Sequence, residues 1–159
     1  MTNPLKSDRS TSLGLLLARV PLGVTLLLAG WWKFRGPGGI AGFVSQSSRR
    51  VPAYMPAGFG DIYLHAIPFA EVILGLCLLA GFLTRLSGFL AALMLVSFGL
   101  AFGLSGFVNA DTAIASRLIE APTVYATFAL ILFLAGPGKF SVDDALFAGG
   151  GGGSSRGRF

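Results

Sequence analysis

Four long apolar stretches, separated by short polar or glycine-rich segments, set the pattern of this chain. They run about Ser12–Phe34, Ile62–Leu83, Leu86–Phe107 and Pro122–Ala135. A helix needs about 20 predominantly apolar residues, with a range of about 17–25, to cross a hydrocarbon core. The fourth stretch is short, so an end at Gly136 or a start before Pro122 is expected, and a proline suits the first turn of a helix. The pattern therefore predicts an all-α fold: an integral membrane four-helix transmembrane bundle. Thr84 and Arg85 alone separate the second and third stretches, which requires a tight antiparallel hairpin. A long connector, Arg35 to Asp61, joins the first and second stretches, and Val108–Ala121 joins the third and fourth. Within the connector, Ile40-Ala41-Gly42-Phe43-Val44 has the make-up of a short amphipathic helix lying in the membrane interface. The domain reading is an N-terminal tail over 1–11, a membrane domain over 12–146, and a glycine-rich C-terminal tail over 147–159.

Composition points the same way. The 159 residues are 53% hydrophobic and 12% charged, against about 25% charged in an average soluble domain. The net charge of +5 reflects topology and lipid headgroups rather than nucleic acid, because the basic residues are scattered and no nucleic-acid motif is present. Lys6, Arg9, Arg85, Lys139, Arg156 and Arg158 fall on the side of the termini; Lys33, Arg35, Arg49, Arg50 and Arg117 fall on the other. The small excess places the termini in the cytoplasm, in a bacterial or archaeal cytoplasmic membrane. The first stretch is interrupted by Arg19 and ends in Trp31-Trp32-Lys33 rather than a small-residue cleavage site, so it does not read as a cleavable signal. Trp31, Trp32 and Lys33 read as interface anchors. The lone Cys77, set among Leu and Ile, reads as a small packing residue.

The candidate chemistry lies in the few ionisable residues inside the apolar stretches. Arg19 and Glu71 carry opposite charge on the first two stretches. A charge at bilayer depth costs roughly 2.5–3.5 kcal/mol on insertion scales and finds a partner inside the protein. The expectation is that these two pair. Counted from the side of the termini, Arg19 lies about 10 Å deep and Glu71 about 18 Å deep, a gap that a long guanidinium narrows. Pro21 and Pro68 lie close by and free upstream carbonyls of Leu17 and Leu64, so both helices are expected to bend or open locally. The pair is read either as a helix-locking ion pair or as part of a polar patch lining a quinone or proton site. His65, the only histidine, lies near the face opposite the termini and could join that patch. It is six residues before Glu71, on another helix face unless Pro68 distorts the turn. No metal-ligand spacing, nucleophile–base pair or phosphate-cradling loop is recognisable. Gly99 and Gly103 form a GxxxG pattern that permits close helix approach.

These residues also carry a family resemblance. Arg19, Gly23, Gly30 and Lys33 resemble the opening helix of DoxX-type membrane proteins. Glu71, Gly75 and Gly81-Phe82-Leu83-Thr84-Arg85 resemble their second helix and turn. Gly136-Pro137-Gly138-Lys139-Phe140-Ser141-Val142-Asp143 resembles their closing motif, and the likeness spans about Leu13 to Leu146. The resemblance implies a four-helix membrane bundle and a link to redox chemistry, since some members are subunits of thiosulfate:quinone oxidoreductases. This chain departs from related thiol-redox bundles in lacking a cysteine pair.

Three functions compete. The first is an accessory, non-catalytic subunit of a larger energy-converting membrane complex, contacting other membrane subunits and lipids. The second is a quinone-interacting subunit of a membrane oxidoreductase, with Arg19, Glu71 and His65 at the headgroup. The third is a small transporter with Glu71 as proton relay, which the single intramembrane carboxylate disfavours. By itself the chain is expected to bind no cofactor, with a quinone as the one candidate ligand. The tail runs through five glycines to Ser-Ser-Arg-Gly-Arg-Phe. Ordering it would cost about 1–2 kcal/mol per residue, so Arg156, Arg158 and Phe159 are the expected contacts to a partner polypeptide.

Overall fold

The computed structural model describes residues 4–51, 56–108 and 121–147, and the described residues contain helices and turns but no strand. Helix α1 runs Pro4–Arg35, α2 Gly39–Ser47 with a 3₁₀ turn at Ser48–Arg50, α3 Ala57–Ala80, α4 Thr84–Val108, α5 Ala121–Ala135 and α6 Val142–Phe147. The apolar pattern thus located the four long helices. It understated α1 at its start, and placed α3 late, because polar first turns such as Lys6–Ser10 carry no hydropathy signal. Pro21 and Pro68 lie inside α1 and α3, each of which continues through its proline as one helix.

Two helices are long and apolar enough to cross a membrane, Ser10–Arg35 and Gly58–Ala80; Thr84–Leu100 and Pro122–Ala135 are shorter apolar helices. α1 packs along α3, and α4 packs along α5; contacts of α1 with α5 and of α3 with α4 close the ring. Small residues set the close approaches. A Cβ on Gly75 would lie 2.7 Å from the Leu27 amide nitrogen and 2.9 Å from the Gly23 carbonyl oxygen. A Cβ on Gly88 would lie 2.9 Å from the Ala129 carbonyl oxygen. The tight α4–α5 crossing therefore sits at Gly88; at Gly99 the nearest neighbour is the Thr123 hydroxyl at 3.9 Å. Leu22, Leu26, Leu74 and Leu78 fill the core between α1 and α3, and Ala91, Leu95, Ala129 and Leu132 continue it between α4 and α5.

The outside of the bundle is apolar. Leu13, Leu17, Val20, Val24 and Leu28 form an exposed stripe on α1, and Ile62, Phe69, Ile73 and Leu76 do so on α3. The inner faces hold the charges: Arg19 and Glu71 are both 2% exposed. A soluble protein would reverse this arrangement, whereas a lipid environment makes it favourable.

The hairpin between α3 and α4 differs from expectation. Thr84 and Arg85 form the first turn of α4 rather than the link, and the turn is Gly81-Phe82-Leu83. α3 ends in a Schellman motif: Phe82 N–H donates to the Cys77 carbonyl at 2.9 Å and Gly81 N–H to that of Leu78 at 3.2 Å. Gly81 has φ 69°, and Leu83 also lies in the left-handed region at φ 47°. That conformation costs an L-residue about 1–2 kcal/mol, so contacts elsewhere must hold it.

Candidate functional site: two polar ties across the bundle

The register of the antiparallel α1–α3 pair decides which charges meet. Gly30 faces Pro68 and Val72, Gly23 faces Gly75 and Leu79, and Gly81 faces the Arg19 guanidinium. Arg19 is thus level with Gly81, ten residues from Glu71 and about 15 Å away along the axis. The expected Arg19–Glu71 pair does not form. Lys33, read as an interface anchor, takes Arg19's place. Its Nζ donates to both carboxylate oxygens of Glu71 at 2.6 Å. Glu71 is 3% exposed at its side chain and Lys33 19%. The ammonium lies 5.1 Å from the centroid of the Phe43 ring on α2, with the Ala29 carbonyl oxygen at 3.5 Å. Phe34 meets Phe69 edge to face at 5.0 Å on the same end of the α1–α3 pair. One turn before Ile67 on α3, the Tyr63 hydroxyl hydrogen-bonds that of Ser97, which donates to the Met94 carbonyl at 2.6 Å. This second link ties α3 to α4.

Arg19 serves the opposite end. Its guanidinium donates to the Pro137 carbonyl at 3.2 Å and to the Phe140 carbonyl. The segment that follows α5 is folded back to present those oxygens. Gly136 and Gly138 adopt φ 86° and 68°. Lys139 N–H donates to the Ser12 hydroxyl at 3.3 Å. Ser141 caps α6: its hydroxyl oxygen accepts from Asp144 N–H at 3.0 Å and its proton goes to the Gly138 carbonyl at 2.9 Å. Asp143 then reaches the α3–α4 turn. Its two carboxylate oxygens accept from Leu83 N–H at 2.7 Å and Thr84 N–H at 2.8 Å, and its own N–H donates to the Gly81 carbonyl at 3.0 Å. An acidic side chain at a helix N-terminus satisfies otherwise unpaired donors and complements the helix dipole. It also holds Leu83 in its unfavourable conformation. Asp143 was legible only as part of a motif; that it caps α4 could not be read from the sequence, because the partner amides are 60 and 59 residues away.

A comparison with protein families decides what these ties belong to. The DoxX family model matches residues 14–104, more than half of the chain. The chain belongs to the DoxX family. As a member it is a membrane protein, in keeping with the apolar exterior and the two membrane-length helices. Searches among curated proteins and among solved structures gave no match. The matched interval holds Arg19, Lys33 and Glu71 but stops before Gly136–Asp143, so the family model covers the Lys33–Glu71 tie in full and the Arg19 tie on one side. In this DoxX protein both ties are made by α1: Lys33, near its C-terminal end, holds a carboxylate, and Arg19, midway along it, holds backbone carbonyls.

The remaining candidates fall apart from the pair. His65 is half exposed, with Nδ1 2.9 Å from the Asp61 carbonyl oxygen and 3.6 Å from its carboxylate. It lies six residues before Glu71 on α3, which continues through Pro68 as one helix, and its contacts are to Asp61 rather than to Glu71. Trp31 and Trp32 are exposed at the end of α1, Trp32 at 70%. Arg156, Arg158 and Phe159 lie outside the described residues.

Proposed function

We propose that this DoxX-family protein is a non-catalytic membrane subunit of a larger redox complex, with four bilayer crossings and cytoplasmic termini. The carrying observation is that its buried charges are engaged in holding the chain together. Glu71 is bound through both oxygens to Lys33, Asp143 through both oxygens to backbone amides, and Arg19 to backbone carbonyls. Among these groups only the Arg19 Nε–H is buried without a hydrogen-bond partner among the described residues, so the charges serve chiefly to tie helices and turns together. The exposed apolar stripes of α1 and α3 suit lipid and neighbouring helices. α5, with 15 residues, spans about 22 Å, less than the roughly 30 Å hydrocarbon core. It crosses by local thinning or by packing against a partner. Solubilisation of native membranes in mild detergent should yield this chain together with oxidoreductase subunits. Deletion of 149–159 should weaken that co-purification and leave the bundle folded. Elution of the intact chain by itself would refute the subunit reading.

One observation favours a second reading, a quinone-interacting subunit. Lys33 and Glu71 lie beside the Phe43 ring near the bundle end. An aromatic headgroup could stack there and draw a hydrogen bond from the ammonium. A photoreactive quinone should then label α2 or α3, and Lys33→Met should abolish labelling; labelling elsewhere would reject this reading.

A further inference from the structure

The Lys33 end of the protein carries a second feature that the ion pair does not use. From Ser10 to Gly60 the sequence contains no acidic residue, yet it holds Arg35, Arg49 and Arg50 in its connector. Arg35 and Arg49 are exposed. The Arg35 guanidinium stacks over the Trp31 ring at 5.0 Å. Trp31 and Trp32 are exposed just below it, at the depth where indole rings settle in the headgroup region. Helix α2 turns Ile40, Phe43 and Val44 inward, where they are partly buried, and leaves Ser45 and Gln46 exposed. It packs on α1 and α3 and is held through Phe43 by Lys33. The result is a surface helix with an apolar underside, an uncharged polar upper side and arginines at both flanks. Asp61, the first acid beyond it, is exposed on α3, its carboxylate 3.6 Å from His65 Nδ1.

We propose that this surface is a binding site for anionic phospholipid, with Arg35 and Arg49 holding headgroup phosphate and Trp31 and Trp32 fixing its depth. The inference rests on the membrane location of the protein and is independent of its role in a redox complex. Guanidinium matches phosphate geometry through paired N–H donors. Arginine stacked on indole keeps its donors free at the edge, so Arg35 is oriented before a lipid arrives. The absence of carboxylates along the connector removes the competition that would otherwise neutralise it.

The test uses the full-length protein in a neutral detergent and counts bound lipid by native mass spectrometry, with phosphatidylglycerol and phosphatidylcholine in competition. A basic side chain near an anionic surface contributes about five-fold in affinity. The intact protein should therefore prefer phosphatidylglycerol, and Arg35→Gln with Arg49→Gln should reduce the preference by about 25-fold. The Arg35→Lys with Arg49→Lys protein should keep most of it, which separates charge from damage to the fold. For the unaltered protein the preference should fall as salt rises, because exposed charges are screened. Equal binding of the two lipids, an undiminished preference in the glutamine protein, or insensitivity to salt would each overturn the proposal. So would full displacement of phosphatidylglycerol by soluble glycerol phosphate at equal concentration, which would show a free-anion site instead of a lipid site.

Discussion

Replacing Lys33 by Met tests the central tie most directly. The change keeps an apolar stem of similar length but removes the one side-chain cation bound to Glu71 among the described residues. The carboxylate, 3% exposed, is then left buried without its counter-charge, which costs about 3–5 kcal/mol. The reverse change, Glu71→Gln, should cost less. Lys33 retains 19% exposure and can extend its stem so that the ammonium reaches the headgroup layer; about 1–3 kcal/mol is expected for the buried polar groups left poorly paired. The double variant should be less damaged than the sum of the two, with a coupling of about 2 kcal/mol or more, in the upper part of the range for contacting residues. Equilibrium unfolding in mixed micelles measures all four proteins. A parallel cycle of Arg19→Met with Glu71→Gln provides the contrast. Those sites are about 15 Å apart along the helix axis, so their effects should add within about 0.5 kcal/mol. Coupling between Lys33 and Glu71 below that same limit, or strong coupling between Arg19 and Glu71, would refute the register described above.

Further outcomes follow from the second tie and the helix seams. Asp143→Asn replaces two charge-assisted acceptor contacts with one neutral one and should cost about 1.5–3 kcal/mol, read as a lower thermal midpoint in detergent; an unchanged midpoint would argue against the cap on α4. Thr84→Val should be neutral or mildly stabilising, because the Thr84 hydroxyl is buried without a hydrogen-bond partner among the described residues; a loss beyond about 1 kcal/mol would reveal a partner. Gly75→Ala should push α1 from α3, since its Cβ would lie 2.7 Å from backbone, whereas Gly14→Ala, with nothing within 4 Å, should stabilise by about 0.5–1 kcal/mol through helix propensity. Equal effects of the two alanines on the unfolding midpoint would contradict the close crossing.

The sequence by itself determined that the chain is helical and membrane-embedded, that four apolar helices exist, and which family it resembles. Those properties depend on local composition, on apolar run length and on short motifs, all readable along one dimension. It also singled out Arg19 and Glu71 correctly as buried charges, because charge inside an apolar run has few alternatives. Their partners were decided only by the tertiary structure. Opposite sign made Arg19 the obvious match for Glu71, but partner choice depends on the axial register of two helices, and that register is set by the fit of Gly23, Gly30 and Gly75 at the seam. Lys33 looked like a headgroup anchor because it closes the apolar run beside two tryptophans; its direction on the helix, inward instead of outward, is a three-dimensional property. Likewise, the closing motif was visible as a string of residues. That Asp143 caps a helix beginning 59 residues earlier, while Arg19 grips the same segment from the first helix, required the chain to be folded.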